Sequence, residues 1–210
     1  IFSAISKYLM VILVGFAIQM FIIYPVFLKC FSKVSAAMLF SAIAEAMMVA
    51  FGTASSSATL PLTIACCEKR GISHKISSFV LPLGATLNFD GTALLQTVAV
   101  IFLAQAYQVH LTPFLVVQIA VLAIIASSTC AGIPGGGLIT IALILNGMGL
   151  SPEQLVAGFA FLFTIERLTD MFRTTLNITS DAVVAATIAD NENEINYDLL
   201  NNPAAYEEIA

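Results

Sequence analysis

Gly84-Ala85-Thr86-Leu87-Asn88-Phe89-Asp90-Gly91-Thr92 sits in the middle of an apolar run that extends from Ser77 to Tyr107. Gly, Asn and Asp are poor residues for a helix interior, so a long helix over this run is expected to break here. Asp90 is also the only formally charged side chain between Lys75 and Glu153, a stretch long enough to cross a bilayer more than once. An ionisable group in that setting is costly and marks a site.

The rest of the chain agrees that the bilayer is its solvent. Of 210 residues, 59% are hydrophobic and 10% charged, whereas a soluble domain carries about 25% charge. Membrane lipid is therefore an expected partner, nucleic acid is not, and a multi-pass location in a cell or plasma membrane is expected. The first residue is Ile1 and no basic, short-cored leader precedes the first apolar run, so the chain reads as an internal piece of a longer protein. Cys30, Cys66, Cys67 and Cys130 match neither a zinc spacing nor a disulfide framework and read as small apolar packing.

Working outward from the break, Tyr8 to Leu28 is long enough for one crossing helix, interrupted by Gln19 and closed by Lys29 and Lys33. This first span reads as ordinary. Two shorter apolar pieces between Ala36 and Ala65 flank Gly52-Thr53-Ala54-Ser55-Ser56-Ser57, and Glu68, Lys69, Arg70, His74 and Lys75 close them. A re-entrant hairpin fits better than two crossings. Leu115 to Leu150 repeats that pattern around Ser127-Ser128-Thr129-Cys130-Ala131-Gly132-Ile133-Pro134-Gly135-Gly136-Gly137. Pro152 and Glu153 then open a last long helix reaching about Ala189.

The expected divisions are residues 1–33, 34–75, 76–110, 111–150, 151–189 and an acidic tail, 190–210, read as solvated and partly disordered. Helix, Ser-rich hairpin, broken helix, Gly-rich hairpin and polar helix look like one unit used twice. Paired interrupted segments of this kind point to a transporter site. Irregular backbone at membrane depth must be covered by protein or water, so the two tips and the break are expected to meet.

On the last helix Glu166, Asp170, Arg173, Thr174, Asn177 and Asp181 fall within about 100° of arc at about 100° per residue. The stripe suits a zwitterion with an extra carboxylate: Arg173 offers a planar fork for a carboxylate, Asp170 pairs with an ammonium, and Thr174 and Asn177 add neutral hydrogen bonds. A structural Asp170–Arg173 ion pair is the plainer alternative. Asp90, Asp181, Asn88, Thr86 and carbonyls freed at the break are hard oxygen donors for a small cation, with helix capping as the alternative for Asn88. Each tip can present helix N-terminal N–H groups to a carboxylate, and the Gly-rich tip is either a lid or a plain turn.

Other patterns carry less. The Gly132–Gly137 segment lacks the ending of a phosphate loop, Asn177-Ile178-Thr179 matches a glycosylation sequon inside a helix, and His74 and His110 have no companion ligands.

Four segments together resemble the dicarboxylate/amino acid:cation symporters, the family of the excitatory amino acid transporters. They are Ser55-Ser56-Ser57-Ala58-Thr59-Leu60-Pro61, Asn88-Phe89-Asp90-Gly91-Thr92, Gly132-Ile133-Pro134-Gly135, and Asp170-Met171-Phe172-Arg173-Thr174-Thr175-Leu176-Asn177 through Asp181. The resemblance covers about Tyr8 to Ala189. It implies an all-α membrane protein with two re-entrant helical hairpins and a broken helix, the transport domain of an elevator-type homotrimer.

In that family's pattern Arg173 binds the cargo's side-chain carboxylate, Asp170 its amino group and Asn177 its main carboxylate. Thr92, Thr174, Ser55, Ser56, Ser57, Ile133, Pro134, Gly135, Gly136 and Gly137 complete the pocket. For sodium, Gly84, Asn88, Asn177 and Asp181 resemble one site, Thr86 with carbonyls near Ser127, Ser128 and Cys130 a second, and Asn88 with Asp90 part of a third. The second hairpin acts as gate. Phe89 departs from the Met usual in the motif, and helices of the scaffold and of the third cation site lie outside this chain.

The implied activity is symport of glutamate or aspartate with co-transported sodium. Proton-coupled glutamate or C4-dicarboxylate symport is the alternative, with Glu166 as a proton carrier. An intramembrane enzyme built on Glu166, Asp170 and Asp181 lacks a nucleophile paired with a base, and a purely structural module leaves Asp90 and the stripe unexplained. By the positive-inside rule Lys69, Arg70 and Lys75 mark the cytoplasmic side.

Overall fold

Four hydroxyl residues set where helices begin. Ser55, Ser73, Thr112 and Ser151 each accept a backbone N–H from the first turn of the helix that follows, which satisfies donors that have no partner inside the helix. At Ser151 the cap is reciprocal, because the Gln154 side chain accepts from the Ser151 N–H. The computed structural model describes residues 2–146 and 150–201, and among them the regular structure is helical with one isolated bridge.

The first span is α1 (Phe2–Ile18), a π-helical segment (Gln19–Ile23) and α2 (Tyr24–Phe31). Together they form an apolar stretch, Ser3–Phe31, long enough to cross a membrane. Then α3 (Ala36–Ala42) and α4 (Ala44–Thr53) meet at a 60° bend. Ala54, in the left-handed region at φ 53°, turns the chain into α5 (Ser56–Lys69), which packs back on α4.

The broken helix is α6 (His74–Leu87) and α7 (Asp90–Ala106), interrupted only at Asn88 and Phe89, where the backbone leaves helical geometry. It starts three residues before the expected Ser77 because Ser73 caps it. His74–Ala106 is the second stretch long and apolar enough to cross a membrane, and the bent α3–α4 pair allows a third. Next come α8 (Pro113–Ser127) and α9 (Gly136–Asn146), joined by an irregular segment from Ser128 to Gly135. The expected end of this unit, up to Leu150, includes residues 147–149, which lie outside the described residues.

The long helix α10 (Pro152–Asn191) is the axis of the fold, packed against α1, α2, α4, α5, α6, α7 and α9. That placement is what buries its polar stripe. Outward-facing residues on other helices, such as Phe21 on the π segment and Phe114 and Ile125 on α8, are large, apolar and exposed, the pattern of a surface whose solvent is lipid.

The tail corrects the sequence reading. Residues up to 201 are docked: Ile195 bridges Ile72, α11 (Tyr197–Asn201) buries Leu200, and Ser73 N–H donates to the Glu194 carbonyl. Two apolar anchors, Ile195 and Leu200, outweigh the acidic composition. The acidic residues Glu207 and Glu208 lie outside the described residues. Lys75 Nζ pairs with Glu194 Oε1 at 2.8 Å, and this contact holds Glu194 below its ordinary pKa value. Glu194 therefore supports the clasp above the usual Glu range and loses it as pH falls through its lowered value. Protection of the Ser73 and Asn196 N–H groups against hydrogen exchange, taken relative to the intrinsic rate at each pH, is expected to fall as pH drops through the Glu range and to weaken in high salt, the pair being exposed.

Candidate functional site

All six members of the α10 stripe are buried: Glu166, Asp170, Arg173, Thr174, Asn177 and Asp181 are each at most 9% exposed. Burial of this many ionisable groups is tolerated only if they find partners. Arg173 donates to Asp170 Oδ1 across one helical turn, so the plainer ion-pair geometry does form. It does not exhaust either group. Asp170 Oδ2 also accepts the Gly135 N–H at 3.0 Å, while Arg173 Nε and Glu166 Oε1 have no hydrogen-bond partner among the described residues.

The α8–α9 connection reaches this pair because Gly135 adopts φ +81°, a left-handed conformation that favours glycine, and so turns its N–H toward α10. Two residues on, Gly137 lies directly against the Arg173 guanidinium. The α4–α5 connection arrives from the other side. Ser55 Oγ donates to the Gly132 carbonyl at 2.9 Å and Ser57 N–H to the same oxygen at 3.3 Å. The two expected tips therefore meet, and a Cβ at Gly132 would lie 3.3 Å from the Ala85 carbonyl, just ahead of the helix break.

The break itself is held by its polar residues. Asn177 accepts the Gly91 N–H at 3.0 Å and donates to Thr92 Oγ1 at 3.1 Å, tying the start of α7 to the stripe. Asn88 donates to Asp181 Oδ1 at 2.9 Å and to Ser180 Oγ at 3.0 Å. Asp181 can come this close because position 84 is glycine: a Cβ there would stand 2.5 Å from Asp181 Oδ1. Gly84, Asn88 and Asp181 also line one cavity of about 290 Å³.

Asn88 and Asp90, expected as partners in one cation site, both contact the Ser180 hydroxyl on α10. Asp90 Oδ2 also accepts from Tyr24 Oη at 2.7 Å and Gln19 Nε2 at 2.9 Å on the first span. Gln19 and Tyr24 are functional-site neighbours that the sequence reading passed over by treating this span as ordinary. The signal was Gln19, the polar interruption of that run. Gln96 was passed over too: fully buried on α7, it donates to Thr140 Oγ1 and contacts Cys130 Sγ.

The Thr86 group is not drawn together by side chains. Thr86 Oγ1 donates back to the Pro82 and Leu83 carbonyls, and the Ser127 and Ser128 hydroxyls to that of Ile124. Ser56 is buried, Ile133 is exposed, and Pro134 and Gly136 complete the α8–α9 connection.

A helical chain with membrane-length apolar spans and a buried, charged centre gathered at a helix break and two helix–helix connections defines a membrane protein built around an internal polar site. The chain belongs to the sodium:dicarboxylate symporter family, whose model matches residues 1–191, and it is a multi-pass membrane protein. It is 37% identical over 182 residues to glt-4 of Caenorhabditis elegans, named as a candidate sodium-dependent excitatory amino acid transporter, covering 86% of this chain and 36% of that one. An excitatory amino acid transporter of the same organism is 37% identical over 185 residues, 88% of this chain and 36% of the relative. Neutral amino acid transporter B(0) of Homo sapiens is also 37% identical, over 186 residues, 88% of this chain and 34% of the relative. The chain thus spans about a third of the length of these relatives, all of them named as transporters.

Proposed function

We propose that the full-length protein is a secondary symporter that moves glutamate or aspartate with sodium. The observation that carries the acidic substrate is buried Arg173, whose Nε has no partner among the described residues even though Asp170 engages the other end of its guanidinium. A carboxylate would give that N–H an acceptor in the guanidinium plane. Overall similarity does not decide this point, since excitatory and neutral transporters match equally well. The relatives' names support sodium.

In this reading a substrate carboxylate takes Arg173, its ammonium takes Asp170 in place of the Gly135 N–H, and Asn177 with Thr92 and Thr174 orients the main carboxylate. Ser55, Ser56, Ser57 and the 133–137 segment close the pocket. Residues 34–75 and 111–150 are re-entrant hairpins, the second being the gate, residues 76–110 the broken helix and 151–189 the binding helix. The unit slides as an elevator within a homotrimer in the plasma membrane. Gly84, Asn88, Asn177 and Asp181 serve one sodium, Thr86 and carbonyls near Ser127, Ser128 and Cys130 another, and Asp90 with Asn88 a third.

The test is uptake of labelled glutamate, aspartate and serine into liposomes holding the full-length protein, with sodium and proton gradients imposed separately. Sodium-driven uptake of the acidic pair supports the reading. Uptake driven by protons alone would move the coupling role to Glu166, whose Oε1 is buried and has no partner among the described residues. Transport of serine in preference to the acids would overturn the substrate assignment.

A further inference from the structure

Gln19 and Tyr24 reach Asp90 together because the helix between them is not an α-helix. At about 100° per residue, two side chains five positions apart diverge by about 140° on an α-helix and cannot converge on one carboxylate oxygen. Residues Gln19–Ile23 form a π-helical turn, and its defining bond joins the pair in question, with the Tyr24 N–H donating to the Gln19 carbonyl. The wider turn swings the two side chains onto a common face. Tyr24 is 4% exposed, and its hydroxyl stands 2.7 Å from Asp90 Oδ2 and 3.3 Å from the Leu176 carbonyl on α10. Asp90 Oδ1 is occupied by the Gly91 N–H at 2.8 Å.

The carboxylate therefore sits among four hydrogen-bond partners, the Gly91 N–H, the Ser180 hydroxyl on α10, and Gln19 and Tyr24, the last two on the first span. We infer that Gln19 and Tyr24, converged by the π-helical turn, are positioning residues that orient Asp90 and set the affinity of the cation it serves. This rests on the sodium-coupled reading above. The hydroxyl carries one proton and faces two acceptors. When Asp90 turns to a cation, Tyr24 can donate to the Leu176 carbonyl instead, one residue from Asn177, so the cation's arrival is passed to the substrate-binding helix. A purely structural role would need neither the shared oxygen nor the irregular turn, since an apolar pair at these positions would pack the same helices.

The experiment is a sodium titration of the thermal unfolding midpoint of purified full-length protein at constant ionic strength, a readout of binding that needs no transport. Loss of a hydrogen bond to a charged group is expected to raise the half-saturating sodium concentration about tenfold in Tyr24→Phe and in Gln19→Leu. Tyr107→Phe, which removes a hydroxyl bonded to the Gln154 carbonyl away from the site, is expected to leave it unchanged. In an Asp90→Asn background the Tyr24→Phe effect should vanish. If both variants lower the midpoint without sodium yet titrate within about twofold of wild type, the residues are structural and the inference fails. A wild-type protein that sodium does not stabilise overturns it as well. A sodium titration that behaves as expected in a protein that takes up no acidic amino acid sinks only the substrate reading.

Discussion

Arg173→Ala is expected to cut sodium-driven uptake of glutamate and aspartate by two to three orders of magnitude. Truncating one partner of a buried, hydrogen-bonded charge pair costs about 2 to 5 kcal/mol, and each 1.4 kcal/mol is about tenfold. Two effects add here. The substrate's side-chain carboxylate loses its planar partner, and Asp170, at 2% exposure, is left with only the Gly135 N–H as a close donor and Thr174 Oγ1 at 3.5 Å. Stability and substrate loss are separated by two further variants. Arg173→Lys keeps the charge opposite Asp170 but not the fork, so it should hold the fold while still losing most acidic uptake. Arg173→Gln with Asp170→Asn removes both charges, and its thermal midpoint should lie above that of Arg173→Ala because no unpaired charge remains buried. Retention of full glutamate uptake by Arg173→Lys would show that the fork does not recognise the substrate.

The elements that announced themselves in the sequence did so through residues that a membrane helix does not otherwise tolerate. Gly84, Asn88 and Asp90 in an apolar run fixed the break to within a residue or two of Asn88 and Phe89. Charges recurring at helical spacing made the α10 stripe visible, and all six of its members are buried. The contact between tips followed from the need to cover irregular backbone, and the Ser55, Ser57 and Gly132 hydrogen bonds provide it. Periodicity failed where the helix departs from its own period. A reading at about 100° per residue puts Gln19 and Tyr24 on different faces, so the π-helical turn and the Asp90 contacts could not be found that way. Composition failed in the tail, where Ile195 and Leu200 decide the docking among acidic and amide neighbours. Thr86 illustrates a further limit: its type suits a cation ligand, yet its hydroxyl satisfies carbonyls of its own helix beside Pro82, and residue type alone does not say which way a hydroxyl turns.

Joining the two tips covalently should stop transport altogether. A Cβ at Gly132 would lie 2.7 Å from Ser57 Oγ, and the Ser57 N–H already bonds the Gly132 carbonyl, so cysteines at the two positions fall within reach of a disulfide. The background should carry Cys130→Ala, because Cys130 is two residues away and free. In Ser57→Cys/Gly132→Cys protein, oxidation is expected to reduce uptake to the level of empty liposomes and reductant to restore it, while either single variant responds to neither. In the proposed function the second hairpin is the gate, so its 128–135 segment would have to leave the Ser-rich tip to admit a substrate between Asp170, Arg173 and Asn177. Noncovalent contact of the tips rests on hydrogen bonds worth about 1 kcal/mol each, which thermal motion and an arriving carboxylate can exchange, whereas a disulfide does not open on the transport timescale. Substrate protection supplies the direction of motion. If glutamate with sodium slows formation of the crosslink, the tips separate around the cargo. If it speeds formation, the gate closes over the cargo and the tips are furthest apart when the site is empty. Full uptake by the oxidised, verified crosslink would mean that the second connection does not gate, and that entry runs by another face of α10.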